Sequence, residues 1–176
     1  MKIELLTARY YVTSILWAIR AHPELWNQYP ARTESPESPH HGLDDIWLRF
    51  AASGGKNVGG EEHESIWYPS AEVLGVKSVV QNLYERFEGK KLGGVLLTRI
   101  PPGATCRPHQ DLGWHAQEYE KFALQIESAP GQRFCFEDEE LETQPGDVFW
   151  FDNQYLHWVV NPTRYERVTL IVCMKR

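Results

Sequence analysis

Apolar residues recur at helical spacing in the first half of the chain, and this pattern predicts two amphipathic helices. In residues 8–27, the apolar positions from Tyr11 to Ile19 fall on one row of a helix. A second apolar stripe covers residues 76–87, and Gly89 follows it as a residue typical of helix ends. The sequence therefore places helical segments ahead of the rest of the fold.

From about residue 92 onward, the pattern changes to short runs of apolar and β-branched residues separated by turn sequences. Pro-Pro-Gly at 101–103 and Gln-Pro-Gly-Asp at 144–147 are typical of turns between strands. Many short strands with regular turns predict a β-sandwich or barrel, with the two helices covering one outer face of the sheet. The predicted strands lie at about 46–50, 93–100, 121–127, 133–137, 147–152, 156–160 and 166–174.

The composition is that of one ordinary globular domain. Of the 176 residues, 42% are hydrophobic and 24% are charged, and no apolar run is long enough to span a bilayer. The first residues lack the apolar stretch of a signal peptide, so we expect a cytoplasmic protein without a membrane partner. A net charge of −6 argues against a general nucleic-acid binder. Three cysteines without CxxC spacing indicate free thiols rather than a disulfide framework or a zinc knuckle.

The segment Arg-Pro-His-Gln-Asp at 107–111 carries the first candidate chemistry. Residues two apart on a strand point the same way, so His109 and Asp111 face one spot. An imidazole and a carboxylate together suit iron or manganese better than a zinc site built from soft ligands. We expect the third ligand from another strand, and His157 is the candidate. Two histidines and one carboxylate leave half of the metal open for substrate and oxygen.

A second pair of polar residues follows in the last predicted strand. Arg167 and Thr169 share a strand face, again because they are two residues apart. A guanidinium matches a carboxylate with two parallel hydrogen bonds, and a hydroxyl adds another donor. The pair therefore predicts a carboxylate site that would hold the far end of a dicarboxylate whose other end chelates the metal.

Taken together, these motifs resemble those of the iron- and 2-oxoglutarate-dependent dioxygenases. The resemblance covers about residues 92–176. The matching motifs are His109-Gln-Asp111, His157 and Arg167-x-Thr169.

Three further segments resemble the aspartyl/asparaginyl β-hydroxylase branch of that superfamily. These are His-Pro-Glu-Leu-Trp-Asn at 22–27, the Arg-x-x-Pro-Gly lead-in within 99–109, and the Pro-Gly-Asp turn within 144–153. Animal enzymes of the branch typically have Gly where Asp111 stands, whereas this chain has the full His-x-Asp…His triad of prolyl hydroxylases and most other relatives. The departure bears on the substrate and leaves the reaction class unchanged.

The resemblance implies a fold that is mainly β with α. Its core is a double-stranded β-helix, also called a cupin-like or jelly-roll core, with N-terminal supporting helices. A single oxygenase domain would span residues 1–176, with helical support and loops in 1–91 and the barrel core in 92–176.

The resemblance also implies cofactors and residue roles. Arg167 would pair with the 5-carboxylate of 2-oxoglutarate, Thr169 would assist, and Thr98 is a further donor from the strand opposite. O2 is the second cosubstrate. The Fe(II) ligands would be His109, Asp111 and His157, which are also the catalytic residues.

The implied activity is hydroxylation of a protein side chain of the Asp/Asn or Pro type, with release of succinate and CO2. Two alternatives remain open: a small-molecule or free amino-acid hydroxylase, and a non-catalytic cupin that binds a ligand. The partner is thus a peptide, a protein or a small molecule. A closed lid over residues 53–65 or 112–120 would favour the small-molecule substrate.

Four residues have two readings each. Lys121 and Gln125 alternate along one side of their strand, which is either the barrel interior, where they would contact the cosubstrate, or the solvent face. Trp114 either borders the substrate mouth or only packs, and His115 either contacts substrate or is an exposed loop residue. The remaining loop histidines are predicted to be solvated, namely His40, His41 and His63.

Overall fold

Two antiparallel sheets make up the fold in the computed structural model, which describes residues 1–53 and 61–176. The strands of the larger sheet are, in spatial order, β1 (Ile3–Arg9), β9 (Asp147–Phe151), β6 (Glu120–Glu127), β11 (Arg167–Lys175), β4 (Lys91–Ile100), β2 (Asp44–Phe50) and β3 (Ile66–Trp67). The strands of the smaller sheet are β5 (Thr105–His109), β10 (His157–Val160), β7 (Arg133–Phe136) and β8 (Glu140–Glu142).

An aromatic cluster joins the inner faces of the two sheets. Phe134 and Phe136 of β7 pack with Phe149 and Phe151 of β9, and all four side chains are buried. The ring centroids of Phe134 and Phe151 are 4.6 Å apart. Apolar side chains thus close the sandwich on one side of its interior, and the polar site described below occupies the rest.

Helices cover the outer face of the larger sheet. The buried residues of the two longer helices, Ile15 and Ile19 in one and Val80 and Leu83 in the other, share one core cluster with the sheet. Each such side chain contributes about 1.5–3 kcal/mol relative to an exposed position. The helices are α1 (Thr13–Ala21), α2 (Pro69–Val73), α3 (Lys77–Arg86) and α4 (Trp114–Glu118).

Gly89 follows α3, as the apolar stripe predicts, but its role is steric. The left-handed residue after this helix is Glu88, with φ of 57°. A Cβ at position 89 would collide with the ring of Tyr84, whose carbonyl accepts the Gly89 N–H at 2.8 Å. Close approach of the chain to Tyr84 therefore requires glycine here.

The larger sheet also takes strands from the first 91 residues, which the sequence predicts mainly as helices and loops. β1 pairs with β9, and β2 pairs with β4. Only Ile3 of β1 is buried, so this edge strand has a weak apolar pattern. No helix in the described part of the chain has the length and apolar character needed to cross a membrane.

The register of three central strands brings predicted site residues together. Thr169 of β11 lies directly opposite Thr98 of β4 on one side and Gln125 of β6 on the other. Side chains opposite each other on neighbouring strands point to the same face. All three therefore face the interior between the two sheets.

Candidate metal centre

Two strand ends and one loop bring together three side chains that could hold a metal ion. His109 ends β5, His157 begins β10, and the antiparallel register pairs them directly. Asp111 follows β5, and its N–H donates to the carbonyl of Asn153 at 2.9 Å. One ligand atom from each of His109, Asp111 and His157 lies within 4.8 Å of the others.

Backbone carbonyls orient both imidazoles. The Nδ1 of His109 donates to the carbonyl of Arg107 at 2.7 Å, and the Nδ1 of His157 donates to that of Tyr155 at 2.8 Å. A carbonyl only accepts, so Nε2 keeps the lone pair in each neutral ring. Burial lowers the pKa of both His109 and His157, which favours the neutral ring that a metal needs.

Asp111 is held as a carboxylate. Burial opposes its charge, but the surrounding cations, Lys121 first, keep the pKa of Asp111 below its ordinary value. The Nζ of Lys121 lies 3.7 Å from Oδ2 of Asp111, and Nδ2 of Asn153 donates to the same oxygen at 3.4 Å. Lys121 also donates to Sγ of Cys173 at 3.3 Å, so it faces the barrel interior.

Arg167 is buried, and no carboxylate among residues 1–53 and 61–176 pairs with it. Its side chain is among the largest that are fully buried, and its Nη2 donates only to the hydroxyl of Thr143, at 3.3 Å. Its Nη1 has no hydrogen-bond partner among the described residues. Burial lowers the pKa of Arg167 to about 10. A buried, unpaired guanidinium is costly, so this position calls for an anion.

Gln125 is buried in the interior, and neighbouring groups already use its amide. Its Nε2 donates to the carbonyls of Glu127 and Val168 at 2.8 and 2.9 Å. Its Oε1 accepts from Thr143 at 2.8 Å and from Thr169 at 3.4 Å. Gln125 therefore links the two threonines beside Arg167. Of the two orientations considered for this face of the strand, the structure shows the one that faces the barrel interior.

Thr98 is engaged in a buried ion pair that the sequence does not indicate. Arg32 donates to both carboxylate oxygens of Asp45, at 2.8 Å each. The hydroxyl of Thr98 donates to Asp45 and accepts from Arg32, both at 2.6 Å. Burial opposes the charge of Arg32, but Asp45 raises its pKa above the ordinary value.

Two cavities adjoin the candidate metal-ligating cluster of His109, Asp111 and His157. The smaller, of 80 Å³, reaches Arg167 and Thr169 between apolar walls that include Phe149 and Ile171. The larger, of 470 Å³, is lined by Trp47 and other residues of the first half of the chain. The residues that line both are Arg32, His40, Leu96, His109, Asp111 and Lys121.

His115 is buried rather than exposed, because α4 forms where the sequence indicates a loop. Its Nε2 accepts the N–H of Gly94 at 3.1 Å, and burial lowers its pKa to about 3. His115 lines the larger cavity, whereas Trp114 packs edge-on against His63, with ring centroids 5.1 Å apart. Residues 54–60, in one of the two predicted lids, lie outside the described residues.

The predictions for two of the other loop histidines are wrong. His40 packs against His109, with ring centroids 4.7 Å apart, and burial lowers its pKa well below the ordinary value. His63 is half-buried against Phe50. Only His41 is exposed as predicted. No periodicity in the sequence marks His40, because long-range contacts of its loop set its position.

Comparisons with known proteins agree with the predicted fold and activity. The sequence pattern of the family described as aspartyl/asparaginyl beta-hydroxylase matches residues 70–176. No curated protein matches the chain. Solved structures give broad likenesses at low identity.

Three of these structures illustrate the likeness. A viral collagen prolyl hydroxylase from Paramecium bursaria Chlorella virus-1 has 11% identity and a TM-score of 0.58, covering 98% of this chain and 95% of its own. A prolyl hydroxylase from Trichoplax adhaerens, in complex with a hypoxia-inducible factor peptide, has 13% identity and a TM-score of 0.59, with coverages of 98% and 83%. An oxidoreductase of the 2OG-Fe(II) oxygenase family from Burkholderia pseudomallei has 16% identity and a TM-score of 0.54, with coverages of 76% and 66%. At such identities the likeness concerns the fold, and it confirms the predicted double-stranded β-helix core.

Proposed function

The chain belongs to the aspartyl/asparaginyl β-hydroxylase family, and from this premise we propose that it hydroxylates an Asp, Asn or Pro side chain of a peptide or protein. One observation carries the proposal. Arg167 is buried with Nη1 unpartnered among the described residues, and it lines the same cavity as the cluster of His109, Asp111 and His157. A cation that lacks an anion thus shares one cavity with metal ligands that leave coordination positions open.

The side chains present fit Fe(II) and 2-oxoglutarate. Two neutral imidazoles and a carboxylate suit a ferrous ion with open coordination positions. The free Nη1 of Arg167 suits a carboxylate at the far end of a dicarboxylate. When bound, iron and 2-oxoglutarate supply the oxygen-activating chemistry, in which O2 is consumed and succinate, CO2 and a hydroxylated product are released.

The protein's own groups would position the reactants. Arg167 would bind and orient the distal carboxylate, with Thr143 holding one of its nitrogens and Thr169 beside it. The carbonyls of Arg107 and Tyr155 would hold His109 and His157 in the ligating tautomer. Buried phenylalanines along the smaller cavity would exclude water from the reacting groups.

Thr98 and Gln125 would act indirectly, through the residues to which they are hydrogen-bonded. The hydroxyl of Thr98 is hydrogen-bonded to the Arg32–Asp45 pair, and the amide of Gln125 is hydrogen-bonded to the threonines next to Arg167. Thr98 lines the smaller cavity and Gln125 does not, and we assign neither of them to direct contact with 2-oxoglutarate. Their hydrogen-bonding groups are already occupied.

The larger cavity is the proposed substrate site. It opens onto the metal ligands and is bounded by α4 and by the loop that carries His40. Its volume of 470 Å³ accommodates one amino-acid side chain with adjoining backbone. Enclosure by α4, inside one of the predicted lids, favours a free amino acid or another small molecule as the second candidate substrate. The cytoplasmic location stays a prediction from the N-terminal sequence.

The test is anaerobic addition of Fe(II) and 2-oxoglutarate to the metal-free protein. We expect a visible metal-to-ligand charge-transfer band, which His157→Ala should abolish and the exposed-site variant His41→Ala should retain. In air, slow succinate formation without substrate should follow. A protein that binds 2-oxoglutarate but forms no succinate in air would instead be the non-catalytic cupin.

The substrate class needs a separate measurement. Peptides containing Asp, Asn or Pro and the corresponding free amino acids would be incubated with the iron-loaded enzyme and 2-oxoglutarate. We expect a one-oxygen mass increase in a peptide. An increase confined to free amino acids would overturn the peptide assignment and leave the reaction class intact.

A further inference from the structure

A second group of metal-ligating side chains lies beside the proposed iron site and shares one residue with it. His40, Cys106 and His109 each offer one ligand atom, and these atoms lie within 4.8 Å of one another. The set consists of two imidazole nitrogens and one sulfur. It is therefore softer than the set that contains Asp111, and it suits a thiophilic ion such as Zn(II).

A β-bulge explains why Cys106 and His109 can face the same point. Residues three apart on a regular strand point to opposite faces. Here His109 pairs with His157 and Cys106 pairs with Val159, so β5 has one residue more than β10 between the two pairs. The extra residue turns His109 onto the face that Cys106 occupies.

Arg107, inside the bulge, fixes the loop that carries His40. Its guanidinium donates to the carbonyl of Pro36 at 2.6 Å and also to that of Ser38. Its N–H donates to the carbonyl of Pro39 at 2.9 Å. The bulge thus aligns Cys106 with His109 and anchors the neighbour of His40, so the three ligands are held by one local structure.

In the described chain no hydrogen bond engages the side chains of His40 and Cys106, whereas Nε2 of His109 lies 3.6 Å from Oδ1 of Asp111. The hydrogen bonds of His40 in the described chain use only its backbone N–H and carbonyl, and the thiol of the buried Cys106 has no hydrogen-bond partner there. The ring of His40 meets that of His109 edge-on. Two ligand side chains without hydrogen bonds, aimed at a third, form a site built for a ligand.

We propose that His40, Cys106 and His109 bind a thiophilic divalent ion, and that this site and the iron site exclude each other. Exclusion follows from His109, whose Nδ1 is committed to the carbonyl of Arg107. Its single remaining lone pair, on Nε2, can serve one ion at a time. Zinc at the second site would therefore remove one of the three iron ligands and inhibit the enzyme.

Binding at this site is ligand exchange without electron transfer. Burial raises the pKa of Cys106 to about 12, so its thiol is protonated in the metal-free protein. The S–H bond breaks, its proton goes to water, and the thiolate forms the bond to the metal. A water molecule completes four-coordination around an ion with ligand distances of about 2.0–2.3 Å.

Co(II) is the probe, because a cobalt-bound thiolate gives an intense near-ultraviolet band that nitrogen and oxygen ligands do not give. We expect this band when Co(II) is added to the metal-free protein. Cys106→Ser should abolish it, whereas Cys135→Ser, at a buried cysteine outside the site, should retain it. Absence of the band, or its persistence in Cys106→Ser, would overturn the proposal.

Two further variants separate the second site from the iron site. Asp111→Ala removes an iron ligand and should leave the cobalt–thiolate band intact, while His40→Ala should weaken cobalt binding at least about tenfold, as expected for loss of one of three ligands. Circular dichroism of each variant checks the fold. A band equally strong in His40→Ala would exclude His40 as a ligand and contradict the three-residue site.

Competition tests the exclusion. Anaerobic Fe(II) with 2-oxoglutarate should bleach the cobalt–thiolate band of the unaltered protein. A band that persists at full iron occupancy would show two independent sites and overturn the exclusion. The cobalt spectrum needs no turnover, so it can be interpreted even if the protein has no hydroxylase activity. Conversely, hydroxylase activity can be measured even if the cobalt–thiolate band is absent.

Discussion

Two arginines, Arg167 buried and Arg32 half-buried, face the same small cavity and differ in their partners. Arg32 donates to both oxygens of Asp45, and this carboxylate raises the pKa of Arg32 above its ordinary value. In the described part of the chain, the side chain of Arg167 has only the hydroxyl of Thr143 as a hydrogen-bond partner, and burial lowers its pKa to about 10. Both line the smaller cavity beside the candidate metal ligands. Arg32 thus has a carboxylate partner, whereas Arg167 has none among the described residues.

The difference indicates a structural role for Arg32 and supports the proposal that Arg167 binds a ligand. Arg32, in the N-terminal loop, stabilises the wall between that loop and β2 and β4. Arg167, at the start of β11, lacks a carboxylate partner among the described residues. A buried charge without a partner lowers the stability of the protein until a ligand binds. Removing the carboxylate partner of Arg32 should therefore lower the free energy of unfolding. Removing the charge of Arg167 should instead weaken the binding of 2-oxoglutarate.

The largest expected effect follows from removing the partner of Arg32. Asp45→Asn leaves the half-buried guanidinium of Arg32 without its fully buried carboxylate partner, and breaking a buried ion pair typically costs about 3–5 kcal/mol. The free energy of unfolding, measured by urea denaturation, should fall by that amount. Replacing both residues, as in Arg32→Met with Asp45→Leu, should restore most of the loss, because no unpaired charge remains.

Asp44→Asn is the matched control for this prediction. Asp44 lies next in sequence and pairs with Arg99 at 2.9 Å, but both side chains are partly exposed. Partly exposed pairs contribute about 0–1 kcal/mol, so the control should lose no more than that. Equal losses in the Asp44 and Asp45 variants would contradict the structural role of the buried pair.

Removing the charge of Arg167 should act on ligand binding instead. Arg167→Met keeps an apolar side chain in place and should weaken 2-oxoglutarate binding by about 2–5 kcal/mol. This is about 30-fold or more in Kd, measured anaerobically by the charge-transfer band. The cosubstrate-free variant should be at least as stable as the unaltered protein, because an uncompensated buried charge has been removed.

Arg164→Ala, at an exposed turn residue, is the matched control and should leave Kd unchanged. Normal 2-oxoglutarate binding by Arg167→Met would exclude Arg167 as the carboxylate-binding residue. A large loss of stability without a change in Kd would make Arg167 structural, like Arg32.

The two arginines also show what the sequence can predict. Arg167 and Thr169 are predictable because strand alternation puts them on one face, and the pairing of β11 with β4 and β6 then adds Thr98 and Gln125. Arg32 is not predictable in this way. It ends a three-residue 3-10 turn that is too short to show a periodicity, and its partner belongs to β2, so only the folded chain brings the two charges together.

The same reasoning applies to the histidines. His109 and Asp111 share a face by local geometry, and His157 joins them through strand pairing. His40 reaches them only because Arg107 binds the carbonyls of its loop, and such backbone contacts leave no pattern in the sequence. His115 differs again, since a helix of five residues directly after Gly113 has too weak a local sequence signal to be predicted.

His115 shows a third way to bury a basic group, which is to keep it neutral. Its folded-state pKa of about 3 lies below the ordinary value of 6.5, so the native state binds fewer protons than the unfolded state. The resulting stability is fully present above pH about 6.5 and is lost as pH falls towards about 3. Between pH 6.5 and 5 the loss should be about 2 kcal/mol.

The measurement for His115 is the free energy of unfolding at several pH values in that window. His115→Asn, whose side-chain oxygen can accept the Gly94 N–H, should flatten the decline by about 2 kcal/mol. The exposed-site variant His41→Asn should keep the decline of the unaltered protein. An unchanged slope in His115→Asn would show that the ring is not held neutral by burial.

The smallest expected effect distinguishes two threonines that lie directly opposite each other on β4 and β11. Thr98 donates a hydrogen bond to Asp45, the partner of Arg32. Thr169, directly opposite Thr98, lies beside Arg167, and the hydrogen bond that it donates to Gln125 is long, at 3.4 Å. Thr169→Val should therefore weaken 2-oxoglutarate binding by about 1 kcal/mol, or several-fold in Kd. Thr98→Val should lower the free energy of unfolding by about 1–2 kcal/mol and leave Kd nearly unchanged. The reverse result would mean that the cosubstrate carboxylate lies nearer to Arg32 than to Arg167, and would exchange the roles of the two arginines.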